Sequence, residues 1–197
     1  MNPESKDWML TITRRQVWPL ALKIEDINIA DIARPLGNQC RYNGHVDEFY
    51  SVAEHSVLIS RALERDGEDA RVCLIGLHHD DCETWLGDMI KPLKNALEKQ
   101  GVSLKPYELA AEELISKKFG LPWPWPAVIK EYDNKIVRDE KEQLKAGGPD
   151  WTAFGIPSVG LNIVLPCWEP KRAAREYIHR HVELTEAIKK MPFDSGW

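Results

Sequence analysis

A chain of 197 residues, 43% hydrophobic and 29% charged, holds enough apolar material for one domain, residues 1–197, with a core able to fold alone. Its net charge of −5 excludes a strong positive field and argues against tracking along a nucleic-acid duplex, while leaving room for a local basic pocket that takes a small anion. Cys40, Cys73, Cys82 and Cys167 form no C-x-x-C pair, so neither a zinc ribbon nor a dithiol motif is expected. Such a sparse set reads as reduced thiols in a cytoplasm. Residues 1–8 are polar and carry no signal-peptide core, and the longest apolar run, residues 72–77, is far too short for a bilayer. The expected location is therefore cytoplasmic, in the host cell if a phage encodes the protein, with no membrane partner.

In chain order, residues 11–23 have the β-branched and aromatic content of a short hairpin, limited to an edge by Pro19. Residues 28–35 look like a short helix stopped around Pro35 and Gly37. Residues 51–65 form the clearest helix: Ser51 followed by Glu54 is a capping box, Val52, Leu58, Ile59 and Ala62 repeat at helical spacing, and Gly67 ends it. Residues 68–85 read as another helix ended by Gly87, then residues 92–100, then 104–119 ended by Gly120. Residues 121–126 alternate Pro and Trp and form a rigid corner. Residues 127–146 make a helix closed by Gly147 and Gly148, residues 149–166 a loop with a little extended chain, and residues 170–190 a final helix with Pro170 in its first turn. The fold class is all-α, a single helical bundle with a short N-terminal β-hairpin.

The informative residues are polar side chains on apolar helix faces. His55 shares a face with Val52, Leu58, Ile59 and Ala62; His79 with Val72, Ile75 and Cys82; Asp133 with Ile129, Ile136 and Val137. Taken singly, each has an ordinary explanation, a hydrogen-bonded core histidine or a solvated or ion-paired aspartate. Arg138, five residues beyond Asp133, is badly placed to neutralise it. A buried carboxylate without a partner costs several kcal/mol or more, and two imidazoles with two carboxylates around one divalent cation would satisfy all four together. His79-Asp80-x-x-Glu83 places three functional groups on one side of a helix. Mixed imidazole and carboxylate ligands without thiolate suit Mn, Co, Zn, Fe or Ni. Such a cation polarises a phosphoryl oxygen and activates a water, and Glu83 is suitably placed to take the water's proton.

The stretches Arg41-Tyr42, Ser51-Val52-Ala53-Glu54-His55-Ser56, His79-Asp80-x-x-Glu83, Gly87-Asp88-x-x-x-Pro92-Leu93-Lys94 and Tyr132-Asp133 occur in the order seen in HD-domain 5′-deoxynucleotidases. They also resemble phage HD-domain dATP triphosphohydrolases, and the similarity extends to residues 26–31 and to Asn162-Ile163-Val164-Leu165-Pro166. The resemblance implies an HD fold whose core spans about residues 50–140, with His55, His79, Asp80 and Asp133 binding a metal and Glu83 acting on the water. It matches Asp88 to a carboxylate near a second metal, where Mg is a candidate, or near the sugar. Arg41 and Lys94 match phosphate contacts, and Tyr42 stands where Trp often packs on the sugar. His45 and Lys91 are further expected substrate contacts. Relatives that assemble into dimers or rings make a homo-oligomer the expectation.

Other expectations are plainer. Arg41 has an alternative in pairing with Asp47 or Glu48, and Lys91 and Lys94 in simple solvation. His179 and His181 are expected to be exposed and uninvolved. Trp123 and Trp125 are expected in the core or between subunits, and Trp18, Trp151 and Trp168 in packing alone. A triphosphate brings about four negative charges and needs more cationic partners than a monophosphate. Arg41, His45, Lys91 and Lys94 therefore favour a dNTP over a dNMP as substrate. A non-catalytic nucleotide sensor is the alternative of another class.

Overall fold

The computed structural model describes residues 6–191. Within them the chain is mostly helical, with one two-stranded sheet. Strands β1 (Met9–Leu10) and β2 (Gln16–Val17) are antiparallel, Met9 opposite Val17 and Leu10 opposite Gln16. The hairpin thus starts two residues before the expected 11–23 and is over well before Lys23. Residues 11–15 are its turn, with Arg14 at a positive φ of 66°. Buried Asp31 holds that turn, accepting from the Thr13 N–H at 2.9 Å and the Thr13 hydroxyl at 2.6 Å.

Helix α1 (Ile29–Asn38) opens where Asn28 Oδ1 accepts from the Ala30 N–H at 2.9 Å. It runs through Pro35, contrary to the expected stop. An internal proline forfeits a backbone bond, but Ile32, Ala33 and Leu36 are fully buried, and α1 packs along the last helix, α8 (Pro170–Lys190). Gly37 lies at that crossing: a Cβ there would stand 2.7 Å from the Pro170 carbonyl and 3.1 Å from the Ala174 Cβ. Gly37→Ala should therefore destabilise the fold by about 1–3 kcal/mol. A thermal midpoint equal to wild type in that variant would contradict the close α1–α8 approach.

Helix α2 (Val52–Arg65) carries one face that is almost wholly buried. Ser51 Oγ accepts from the Glu54 N–H at 3.1 Å, which is half of the expected capping box. Glu54 does not reach back to Ser51. It accepts instead from the backbone N–H groups of Cys167 and Trp168, at 2.8 and 2.6 Å, and so ties α2 to the approach of α8.

The expected helix over 68–85 is two. Helix α3 (Ala70–His78) starts on the Asp69 cap and stops at His78; helix α4 (Glu83–Leu86) follows and ends at Gly87, φ 80°. Between them the backbone tightens to bonds three residues apart, from the Asp81 N–H to the His78 carbonyl and from the Glu83 N–H to the Asp80 carbonyl.

Helices α5 (Lys91–Glu98) and α6 (Lys105–Phe119) follow, then the Trp-Pro corner and α7 (Ala127–Leu144). Trp125 packs on the core and its indole N–H donates to Ser116 Oγ at 2.7 Å, in keeping with a packing role. Residues 149–166 contain a short 3-10 turn, Trp151–Phe154, and no strand. Helix α2 packs on α3 and α8, and α7 lies against α2 and α3. That arrangement brings the middle of α2, the end of α3 and the middle of α7 to one place. No described helix is long and apolar enough to cross a membrane.

Candidate metal centre

His55 from α2, His79 and Asp80 from the turn after α3, and Asp133 from α7 each present one ligand atom, and these four atoms all lie within 4.8 Å of one another. His55 Nε2 stands 3.4 Å from Asp80 Oδ2 and 3.3 Å from Asp133 Oδ1. His79 Nε2 stands 3.2 Å from Asp80 Oδ2 and 3.8 Å from Asp133 Oδ1. Ligands bonded at about 2.1 Å to a common centre and set at right angles would be about 3.0 Å apart, so these spacings are close to those of a shared coordination sphere.

The hydrogen bonds of the two rings point the same way. His55 Nδ1 is paired with Glu140 Oε1 at 2.7 Å, and His79 Nδ1 with the Gly76 carbonyl at 2.9 Å. Each Nδ1 therefore carries the proton, and each Nε2 turns toward the carboxylates. Both Nε2 atoms are buried and have no hydrogen-bond partner among the described residues. Histidine metal ligands are oriented in this manner, by a carboxylate or carbonyl on the other nitrogen. The His55 side chain is fully enclosed, whereas Asp80 and Asp133 keep 20% and 17% of their side-chain exposure, so the centre opens on its carboxylate side.

Burial opposes the charges on Asp80 and Asp133, yet the facing imidazoles hold both carboxyls below the ordinary range. Burial likewise opposes charge on His79, but Asp80 and Asp133 raise it well above the usual imidazole range. A proton on His79 and a divalent cation are thus two ways of neutralising the same pair of carboxylates, and cation binding would release that proton. The donor set fits a divalent transition ion, whose identity the geometry leaves open.

Beside the four ligands, Glu83 is buried, and its Oε2 and that of Asp88, Oδ2, are buried without hydrogen-bond partners among the described residues. Burial pushes the Glu83 carboxyl well up, and Asp80 and Asp88 push it further. Burial also raises Asp88, against the pull of Arg41. Gln39 joins the two positions: its Nε2 donates to the Glu83 carbonyl at 3.1 Å and its Oε1 accepts from the Asp88 N–H at 3.1 Å.

Arg41 faces the centre, not Asp47 or Glu48: its guanidinium is 3.5 Å from Asp80 and 3.4 Å from Glu140. The Tyr42 hydroxyl donates to Glu140. Lys94 is half-buried and paired with Glu108 at 2.8 Å, which keeps it above the ordinary lysine range although burial opposes its charge. His45 and Lys91 are exposed, and no bond draws either to the cluster. Arg138 pairs with Glu142, away from Asp133 as expected.

Two residues escaped the sequence reading. Glu140 lies seven residues past Asp133 on the same buried stripe of α7, and that spacing was its signal. Lys130, one turn before Asp133, reaches its Oδ2 at 2.6 Å. Trp151 packs, as expected, and does so beside the site: its ring lies 6.1 Å from that of Tyr42, and Lys145 sits over both.

His181 corrects another expectation. It is half-buried and bonded through Nδ1 to His78 Nε2 at 2.9 Å, while His179 is exposed. His78 in turn meets Asp81 and the Tyr177 hydroxyl, so adjacent imidazoles serve opposite sides, His78 toward α8 and His79 toward the centre. Burial and His78 lower His181 from 6.5 to about 4. Because the folded value is the lower, the fold favours the neutral ring. That contribution is complete above pH 6.5 and fades as pH falls toward 4. Thermal midpoints measured across this window should fall more steeply for wild type than for His181→Gln; parallel curves would count against the assignment.

No family model matches the chain. Among curated proteins, uncharacterized protein YfdR of Escherichia coli is 32% identical over 167 residues, spanning 84% of this chain and 88% of that protein. Uncharacterized protein RCAP_rcc00048 of Rhodobacter capsulatus is 39% identical over 194 residues, spanning 92% of this chain and 97% of that one.

Proposed function

The chain belongs to the family of YfdR and RCAP_rcc00048, and we propose that it is a metal-dependent phosphohydrolase of the HD type that cleaves deoxynucleotides at the α-phosphorus. The observation that carries this reading is the pair of buried, unpartnered Nε2 atoms facing two carboxylates, all four ligand atoms within 4.8 Å. Two carboxylates and two imidazoles drawn to one half-enclosed point are all neutralised together by one divalent cation, which a proton on one ring achieves only in part.

His55, His79, Asp80 and Asp133 hold the cation, which supplies Lewis acidity for the phosphoryl group and the attacking water. Glu83 accepts the water's proton; its raised pKa makes it a better base than a surface carboxylate. The water oxygen bonds to the α-phosphorus as the bond to the sugar 5′ oxygen breaks, and the proton taken up by Glu83 is passed on to that leaving oxygen, directly or through a water, so that Glu83 returns to its carboxylate form. Arg41, held at the mouth between Asp80 and Glu140, neutralises phosphate charge. Lys130 offers a second cation at the exposed end of Asp133. Tyr42 walls the sugar side, and Asp88 lies toward the sugar or an additional cation.

Our preferred substrate is a dNTP of the dATP type, giving deoxynucleoside and inorganic triphosphate. The Lys94–Glu108 pair and the outward His45 and Lys91 thin the cationic set, and this favours a second reading, a 5′-deoxynucleotidase acting on dNMPs. A panel of deoxynucleoside mono-, di- and triphosphates with Mn or Co, with products identified and Asp80→Ala as control, decides between them. Inorganic triphosphate from dATP supports the first reading, and activity confined to monophosphates supports the second. No release from any nucleotide by metal-loaded protein would leave a nucleotide sensor.

A further inference from the structure

Glu140 is fully buried, yet three donors end on its carboxylate, one from α2 and two from the consecutive residues Arg41 and Tyr42. Oε1 takes His55 Nδ1 at 2.7 Å; Oε2 takes the Tyr42 hydroxyl and lies 3.4 Å from Arg41 Nη2. Three donors facing one carboxylate leave neither of its oxygens without a partner, the arrangement that suits a charged acceptor. Tyr42 and Asn43 sit in the left-handed region, φ 58° and 54°, a conformation that a bulky residue such as Tyr keeps only when surrounding contacts enforce it. For Tyr42 those contacts are Glu140 at its hydroxyl, Lys145 at 4.6 Å from its ring and Trp151 beyond.

We propose that Glu140 is a positioning residue that couples the metal centre to the substrate wall, one oxygen orienting the ligand His55 and the other fixing Tyr42 and Arg41. This rests on the reading of His55 as a metal ligand and of Arg41 and Tyr42 as substrate contacts. Because one carboxylate's charge is shared, a change at either oxygen is felt at the other. Removing the Tyr42 hydroxyl leaves more charge for His55, strengthens its Nδ1 hydrogen bond and makes Nε2 a better donor to the cation. Neutralising Glu140 does the reverse.

The test is Mn affinity, measured by competition with a chelating dye, in wild type, Glu140→Gln, Tyr42→Phe and the double variant, with circular dichroism to confirm folding. Glu140→Gln should bind Mn about 10- to 100-fold more weakly, the range for loss of a partner that orients a metal ligand. Tyr42→Phe, which removes a hydroxyl that bonds to Glu140 and is not among the ligand atoms, should tighten Mn binding by about threefold, and should do so only while Glu140 is present. A folded Glu140→Gln within twofold of wild type overturns the proposal. So does a Tyr42→Phe effect that is absent, or that survives unchanged in the double variant, and this holds even if Glu140→Gln alone does not fold. Wild-type protein that binds Mn with this pattern but hydrolyses no nucleotide keeps the coupling and removes the hydrolase reading; protein that binds no divalent cation removes both.

Discussion

Glu83→Gln is expected to lower turnover of the preferred deoxynucleotide by about 100- to 10,000-fold, the range typical of a lost general base, while Mn stays bound. The substitution preserves shape in a buried position and changes only whether the group can take a proton. Glu83 is not among the four residues whose ligand atoms converge, but its carboxyl is near enough to Asp80 and Asp88 for both to raise its pKa. One of its oxygens is buried with no partner among the described residues, a costly arrangement unless something not made of protein completes it. Equilibrium metal binding and steady-state rates on the same preparation separate the two effects. Retained metal with full turnover would remove Glu83 from the chemistry, and loss of metal would make it a ligand.

The second large effect is on stability. A cation present at about 100 to 1,000 times its dissociation constant adds about 2.7–4.1 kcal/mol if it binds only the folded chain. For a chain of this length that is about 5–16 °C in thermal midpoint. Stripping the protein with a chelator should lower the midpoint by that amount, and adding back Mn, Co, Zn, Fe or Ni should restore it. Asp133→Ala should abolish the restoration, because it removes the only ligand from α7 and leaves His55 and His79 facing Asp80 alone. The metal-free protein is still expected to fold, since a proton on His79 already offsets part of the carboxylate charge. An Asp133→Ala protein that shifts as far as wild type would show that the cation binds elsewhere.

Much of the helical framework was legible locally. Residues 170–190 matched α8 end to end, and Ser51 and Gly120 marked real boundaries, because caps and terminal glycines act over a few residues; α7 instead ends at Leu144 with Lys145 as its cap, short of the expected 146 and of Gly147. Pro35 misled because the burial that carries α1 past it comes from α8, more than a hundred residues later. The break after His78 was hidden for a related reason: helical periodicity continues through it, and the bonds that interrupt it answer to the centre and to α8.

At the site, His55, His79 and Asp133 were legible as polar residues on apolar stripes and Asp80 through its place after His79, and the structure brings all four together. Glu140 stood on the same stripe as Asp133 but outside any motif, so only its spacing could have betrayed it. His181 was placed at the surface because its partner, His78, is 103 residues away in the chain. His45 and Lys91 were expected near phosphate, and both are exposed with no bond to the cluster among the described residues.

The stretch from His78 to Glu83 carries a demand on length as strict as that on composition. Each residue added to a helical segment swings everything after it by about 100°. Loss of one residue at the start of the stretch would present His79 to the C-terminal helix in place of His78 and leave the cation cage open on a side. Drift in chain length is better absorbed around Ser158 and Val159, which are exposed and lie beyond the Lys145 and Trp151 contacts to Tyr42.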